Sequence, residues 1–308
     1  MAPRIPRREF LAEVGALAAA SAVSSIPCHA MFSACPIYPP VDLSYFDKAV
    51  TPAPAEIRLG YAAITRGGND RQAIADISAL GFRGVQLRAN CIAEFGSPAE
   101  LKRLLEANGL RAVALSSGAV NIDPAKEAFE IAKHSANARF VHDGGGLYLQ
   151  VTDERSAHRP ITASDYARLS RLLTEIGKRT ADLGITLGYQ NQMGSMGERP
   201  EGLDRILQAV DSRYAKLALD IAHYFQGGGD SVQAIERYKD VLLFLHIKDV
   251  ELARRSVDPS AVFEALHKVN FHGWAMVELD DDLGNPHTPR ESAEISKKYV
   301  EEKLGLRV

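Results

Sequence analysis

Four short apolar runs in the second half of the chain each carry one chemically able side chain near their C-terminal end. These are Gln190 in Ile185–Gln190, Asp220 in Ala215–Asp220, His246 in Leu242–Ile247 and Glu278 in Ala275–Leu279. If the runs are strands, residues i and i+2 share a face. The polar faces then read Thr186/Gly188/Gln190 (continuing to Gln192), Lys216/Ala218/Asp220, Phe244/His246/Lys248 and Trp274/Met276/Glu278/Asp280. Leu217/Leu219, Leu243/Leu245/Ile247 and Val277/Leu279 form the opposite, aliphatic faces. An amide, two carboxylates and an imidazole aimed at one point make a mixed O/N donor set. Such a set suits Mn²⁺, Co²⁺, Mg²⁺, Zn²⁺ or Fe²⁺ rather than a thiolate-preferring ion, and manganese is the expected one. Any one of these residues alone would read as a helix cap or an ion-pair partner. Four in succession on the inward face carry the argument.

The elements that must position them follow from punctuation. Strands are expected at 57–63, 84–89, 111–116, 147–152, 185–190, 215–220, 242–247 and 275–279. Helices are expected between them at 70–80, 98–108, 124–142, 163–183, 200–210, 231–239, 259–268 and 289–304. Pro98, Pro200, Pro259 and Pro289 stand where a first helical turn has no use for the missing N–H. Gly81, Gly109 and Gly184 stand where a helix ends in a left-handed residue. Eight β-then-α units in about 250 residues predict a (β/α)8 TIM barrel, whose chemistry sits at the C-terminal ends of the strands. An open doubly wound sheet is disfavoured because no GxGxxG turn follows the first strand. In the barrel Gln86 and Arg88 on the second strand and Gln150 on the fourth also face inward, as candidate hydrogen-bonding contacts to a substrate. Trp274, at the start of the eighth strand, is expected in the core. Gly227–Gly229 reads first as a turn.

The composition is 46% hydrophobic and 24% charged, with a formal net charge of −3. That supports a sizeable core and gives no electrostatic footprint for nucleic acid or an anionic membrane. Cys28, Cys35 and Cys91 have neither CxxC spacing nor a nearby histidine pair, so no disulfide framework or zinc site is expected. The N-terminus differs from the rest. Arg4, Arg7 and Arg8 precede Phe10-Leu11 and an alanine-rich run from Val14 to Val23, too short for a membrane span of about 20 residues. The order resembles a twin-arginine export signal, which predicts residues 1–30 as signal, the proline-rich 31–56 as an arm and 57–308 as the barrel. Export implies a periplasmic protein whose small-molecule substrate is unphosphorylated.

Four stretches resemble a known family: Leu187–Gly194 (LGYQNQMG), Leu217–His223 (LALDIAH), Leu245–Asp249 (LHIKD) and Gly273–Asp280 (GWAMVELD). They look like the xylose isomerase-like TIM barrels described as sugar phosphate isomerases/epimerases. That group includes inosose dehydratases and ketose 3-epimerases, with the type IV endonucleases more distant. By position, the resemblance implies metal ligands at Asp220, His246 and Glu278, with Gln190 as the fourth. It places His223 beside the substrate, with Lys248 a weaker candidate for the same role. One departure matters: the family usually has Glu or His where Gln190 stands, and often His at Gln192. An amide can ligate through oxygen but exchanges no proton at neutral pH. The expected function is therefore a metal-dependent sugar isomerase/epimerase in which Glu278 or His223 removes a proton beside a polarised carbonyl. β-Elimination on inososes or 3-keto-glycosides is the runner-up, and an exported sugar-binding protein is the rival of another class. A homo-oligomer is compatible with this reading, whereas a nuclease would need further histidines and a basic groove.

Overall fold

Eight parallel strands pair in chain order and the eighth returns to the first, closing a barrel. They are β1 (Glu56–Ala62), β2 (Gly84–Arg88), β3 (Arg111–Val120), β4 (Tyr148–Asp153), β5 (Thr186–Gln190), β6 (Ala215–Asp220), β7 (Leu242–Lys248) and β8 (His272–Glu278). This computed structural model describes residues 54–63, 69–154, 159–248, 257–278, 287–303 and 307–308. The proposed signal and nearly all of the arm lie outside them, as do Leu279 and Asp280. The helices are α1 (Asp70–Ala79), α2 (Cys91–Phe95), α3 (Pro98–Ala107), α4 (Glu127–Asp143), α5 (Ala163–Ala181) and α6 (Pro200–Ala209). They continue with α7 (Ile221–Gln226), α8 (Ser231–Tyr238), α9 (Pro259–Lys268) and α10 (Pro289–Lys303). The expected (β/α)8 TIM barrel is the fold.

Local sequence explains where the helices start. Ser97 accepts from the Glu100 N–H with Pro98 at the first turn, and Asp258 accepts from the Ser260 N–H ahead of Pro259. No helix among the described residues is long and apolar enough to cross a membrane.

The core has two parts. The larger lies between strands and helices and takes the outward residues Leu217, Leu219, Leu245, Ile247 and Val277. The smaller fills the barrel itself with Val113, Ala114, Ala218, Phe244, Trp274 and Met276. Trp274 is thus core, as expected. Glycine makes room for this plug: a Cβ on Gly84 would meet the Trp274 ring at 2.4 Å.

Register shifts in β3 and β7 override simple alternation. Leu217 pairs with Leu242 but Ala218 pairs with Phe244, so Leu243 is the extra residue of a bulge. It packs against the interior plug rather than the helices, which corrects the expected outward face of β7. A similar slip in β3, between partners Ala112 and Ala114, brings Val113 inside.

Candidate active site

The ends of β6, β7 and β8 bring three side chains together. Asp220, His246 and Glu278 each present a ligand atom, and these atoms lie within 4.8 Å of one another. Asp220 and His246 have no exposed surface and Glu278 is 4% exposed. Parallel pairing sets this convergence, because Asp220 is level with His246 and Lys248 with Glu278. The chemistry of the donor set fits a divalent cation. Two carboxylates are buried side by side, and no Lys or Arg is among the buried residues described. Burying like charges at such range demands a compensating cation or protons.

Gln190 lies beside the group, but it turns its nitrogen toward it and not the oxygen through which it was expected to ligate, because that oxygen is taken by Gln150. Its Nε2 donates to Asp220 Oδ2 at 3.1 Å and lies 3.1 Å from His246 Nδ1. Its Oε1 accepts from Gln150 Nε2 at 2.6 Å. Gln150 Oε1 in turn accepts from Gln86 Nε2 at 3.3 Å, and Gln86 Oε1 lies 2.8 Å from His246 Nε2. Glu278 Oε2 is 3.3 Å from that same Nε2.

Asp220 has a second duty. Its Oδ1 accepts the His223 N–H at 2.9 Å, which caps α7, a short helix absent from the expected elements. That turn holds His223 at the site, its Nδ1 3.1 Å from Asp220 Oδ2. His223 is buried but for 7% of its surface.

The remaining expected residues are dispersed. Gln192 is exposed, because β5 stops at Gln190 and alternation stops with it. Arg88 is exposed at the end of β2, and its charge acts on Asp70. Burial first, and the neighbouring Glu94 charge second, push the Asp70 carboxyl up to about 6. Lys248 ends β7, and its side chain lies outside the described residues.

Sequence reasoning missed Asn191. Fully buried, it donates to the Asp220 carbonyl at 3.1 Å and accepts the Asp220 N–H at 2.9 Å, clamping the ends of β5 and β6 together. The signal was an Asn at a strand end, which favours a turn over continued alternation. It also missed the latch on the other face of β5. There Tyr189 Oη donates to Asp153 at 2.5 Å, and Asp153 accepts the Met196 N–H at 2.9 Å. Burial and the Asp153 charge hold the Tyr189 phenol well above its usual range.

A closed eight-stranded barrel with a carboxylate–imidazole–carboxylate cluster at its C-terminal mouth defines a class of enzyme scaffold, and comparison with known proteins gives the family. The Xylose isomerase-like TIM barrel family matches residues 74–299, and the chain belongs to it. The inosose dehydratase of Geobacillus kaustophilus is 23% identical over 303 residues, covering 83% of this chain and 96% of the relative. The solved structure of an L-ribulose 3-epimerase superposes with a TM-score of 0.70 at 16% identity, covering 82% of this chain and 95% of that one. The IOLI protein, solved with a zinc atom, gives a TM-score of 0.66 at 16% identity, covering 79% and 96%.

Proposed function

We propose that this chain is a divalent-metal-dependent isomerase/epimerase acting on an unphosphorylated keto-sugar or inosose. One observation carries the reading: the buried convergence of Asp220, His246 and Glu278 at the ends of three consecutive strands. The oxygen-rich donor set favours manganese among ions that also accept imidazole. When bound, the ion supplies a Lewis acid that polarises a sugar carbonyl. Asp220, His246 and Glu278 would hold it. Glu278 takes the proton from the carbon beside the carbonyl, and the electron pair of that C–H bond moves onto the carbonyl oxygen to give an enediolate. Returning a proton to the neighbouring carbon yields the isomer, and returning one to the same carbon from the opposite face yields the epimer. His223 is the second group at the site able to hold a proton.

A specific observation favours a second reading, elimination. Gln190 is an amide and exchanges no proton, which leaves Glu278 as the carboxylate base. The enediolate can then expel the β-hydroxyl, which leaves as water with a proton from His223, giving an unsaturated ketone. Export by the Arg7-Arg8 signal belongs to the same proposal, since sugar phosphates are made in the cytosol.

Incubating the Mn²⁺-loaded protein with ketoses, inososes and 3-keto-glycosides in D2O tests both readings by NMR. Deuterium at the carbon next to the carbonyl in a rearranged sugar is the expected result. An unsaturated ketone selects elimination. No exchange with any of the three classes overturns the proposal.

A further inference from the structure

Gln86 and Gln150 face the site from β2 and β4, yet they are 0% and 1% exposed, so neither offers surface to a sugar. What they do is visible in the direction of their hydrogen bonds. Gln86 donates to Gln150, Gln150 donates to Gln190, Gln190 donates toward His246 Nδ1, and His246 Nε2 meets Gln86 Oε1. The four side chains close a ring in which every group donates one way round.

The opposite direction also closes on paper, with the three amides turned over and the imidazole proton moved to Nδ1. Two carboxylates forbid it. Reversal would set Gln190 Oε1 against Asp220 Oδ2, 3.1 Å apart. It would also aim the bare Nε2 lone pair at Glu278 Oε2, 3.3 Å away. In a dry interior two facing acceptors repel strongly, while a ring of aligned donors strengthens each of its bonds.

We infer that Gln86 and Gln150 are positioning residues for the ion site: their ring holds His246 as the Nε2–H tautomer with its Nδ1 lone pair turned toward Asp220 and Gln190. The inference deepens the proposed function, and its ion-affinity arm rests on the reading of Asp220, His246 and Glu278 as ligands. Gln86 matters most, being the acceptor for the Nε2 proton. Such outer partners of a ligating histidine typically change metal affinity by about 10- to 100-fold.

The test uses the full chain, stripped of metal, at pH 7.5. Imidazole ¹⁵N shifts assigned to His246 should show a protonated Nε2 and an unprotonated Nδ1. A protonated Nδ1 in the wild-type chain overturns the inference without recourse to any variant. Titration with Mn²⁺ alone should give a Kd weakened by at least about tenfold in Gln86→Leu, with mixed tautomers in its spectrum. Gln86→Leu that folds, as circular dichroism reads it, and binds Mn²⁺ within about threefold of wild type also overturns the inference. A chain showing the Nε2–H signature and this order of affinities, yet turning over no sugar, supports the ring and overturns only the proposed activity.

Discussion

His246 and His134 both have no exposed surface, and each holds a glutamate oxygen close to Nε2, Glu278 at 3.3 Å and Glu130 at 3.2 Å. Each has a polar partner at Nδ1 as well: Gln190 for His246, and the Ser117 hydroxyl, 2.6 Å away, for His134. By burial and neighbours alone the two would be ranked together, and the Ser117–His134–Glu130 series even has the order of a hydrolytic triad. They differ in the origin of the partners and in charge. Glu130 comes from one turn earlier in α4, and Lys133 pairs with it at 2.6 Å, so the group is compensated and local. It ties the outer face of β3 to the helix. The partners of His246 come from β2, β5 and β8, with Asp220 of β6 beside them, and two carboxylates share the space with no buried Lys or Arg among the described residues. A buried histidine marks a site when its partners converge on it from several strands, carboxylates among them.

The sharpest way to break this comparison is to remove one carboxylate from each group. Glu278→Gln should lower kcat on a responsive sugar by about a thousandfold, the range for losing a positioned base. Glu130→Gln should leave kcat/KM within about twofold, since it touches nothing at the mouth. Equal losses in the two variants would erase the distinction.

His134 supplies a test in acid. Burial, and then the Lys133 charge, hold His134 down to about 4 from its ordinary 6.5. The unfolded chain therefore takes up a proton that the folded chain refuses. Stability from this group is complete above pH 6.5 and is lost as pH falls toward 4, by on the order of 3 kcal/mol. Urea midpoints measured across that window should flatten in His134→Gln, and an unchanged slope would count against the assignment.

The ion should stabilise one region and ignore the other. At a free Mn²⁺ concentration a hundred times its Kd, linkage adds about 2.7 kcal/mol to folding. Thermal melting should show that increment in wild type and in His134→Gln, and chelation should abolish it. Asp220→Asn should show little of it. The smallest effect belongs to Ser117→Ala, which removes the two hydrogen bonds of that hydroxyl, with His134 and Asn137, each worth about 1 kcal/mol, and leaves Mn²⁺ affinity unchanged.

Much of the frame could be read beforehand where local physics is decisive. β6 runs Ala215–Asp220 and α9 runs Pro259–Lys268, as their apolar pattern and Asp-Pro start require. α2 and α7 were missed because five or six residues are too few to show helical periodicity. β8 begins at His272, ahead of expectation, since backbone pairing with β1 from Glu56 onward extends it where the side chains give no alternating signal. The bulge at Leu243 was illegible for the same reason: register belongs to a pair of strands and neither sequence contains it alone.

The order of residues was enough to place Asp220, His246 and Glu278 at one end of a barrel, because alternation along each strand and the β-then-α repeat are properties of neighbouring residues. Only the closed barrel decided which nitrogen of Gln190 and His246 faces which partner, that Gln86 and Gln150 are enclosed, and that Asn191 fastens β5 to β6. Those facts depend on distances between residues as many as 160 positions apart, and side chains that far apart in the chain acquire a mutual geometry only when all eight strands have found their register.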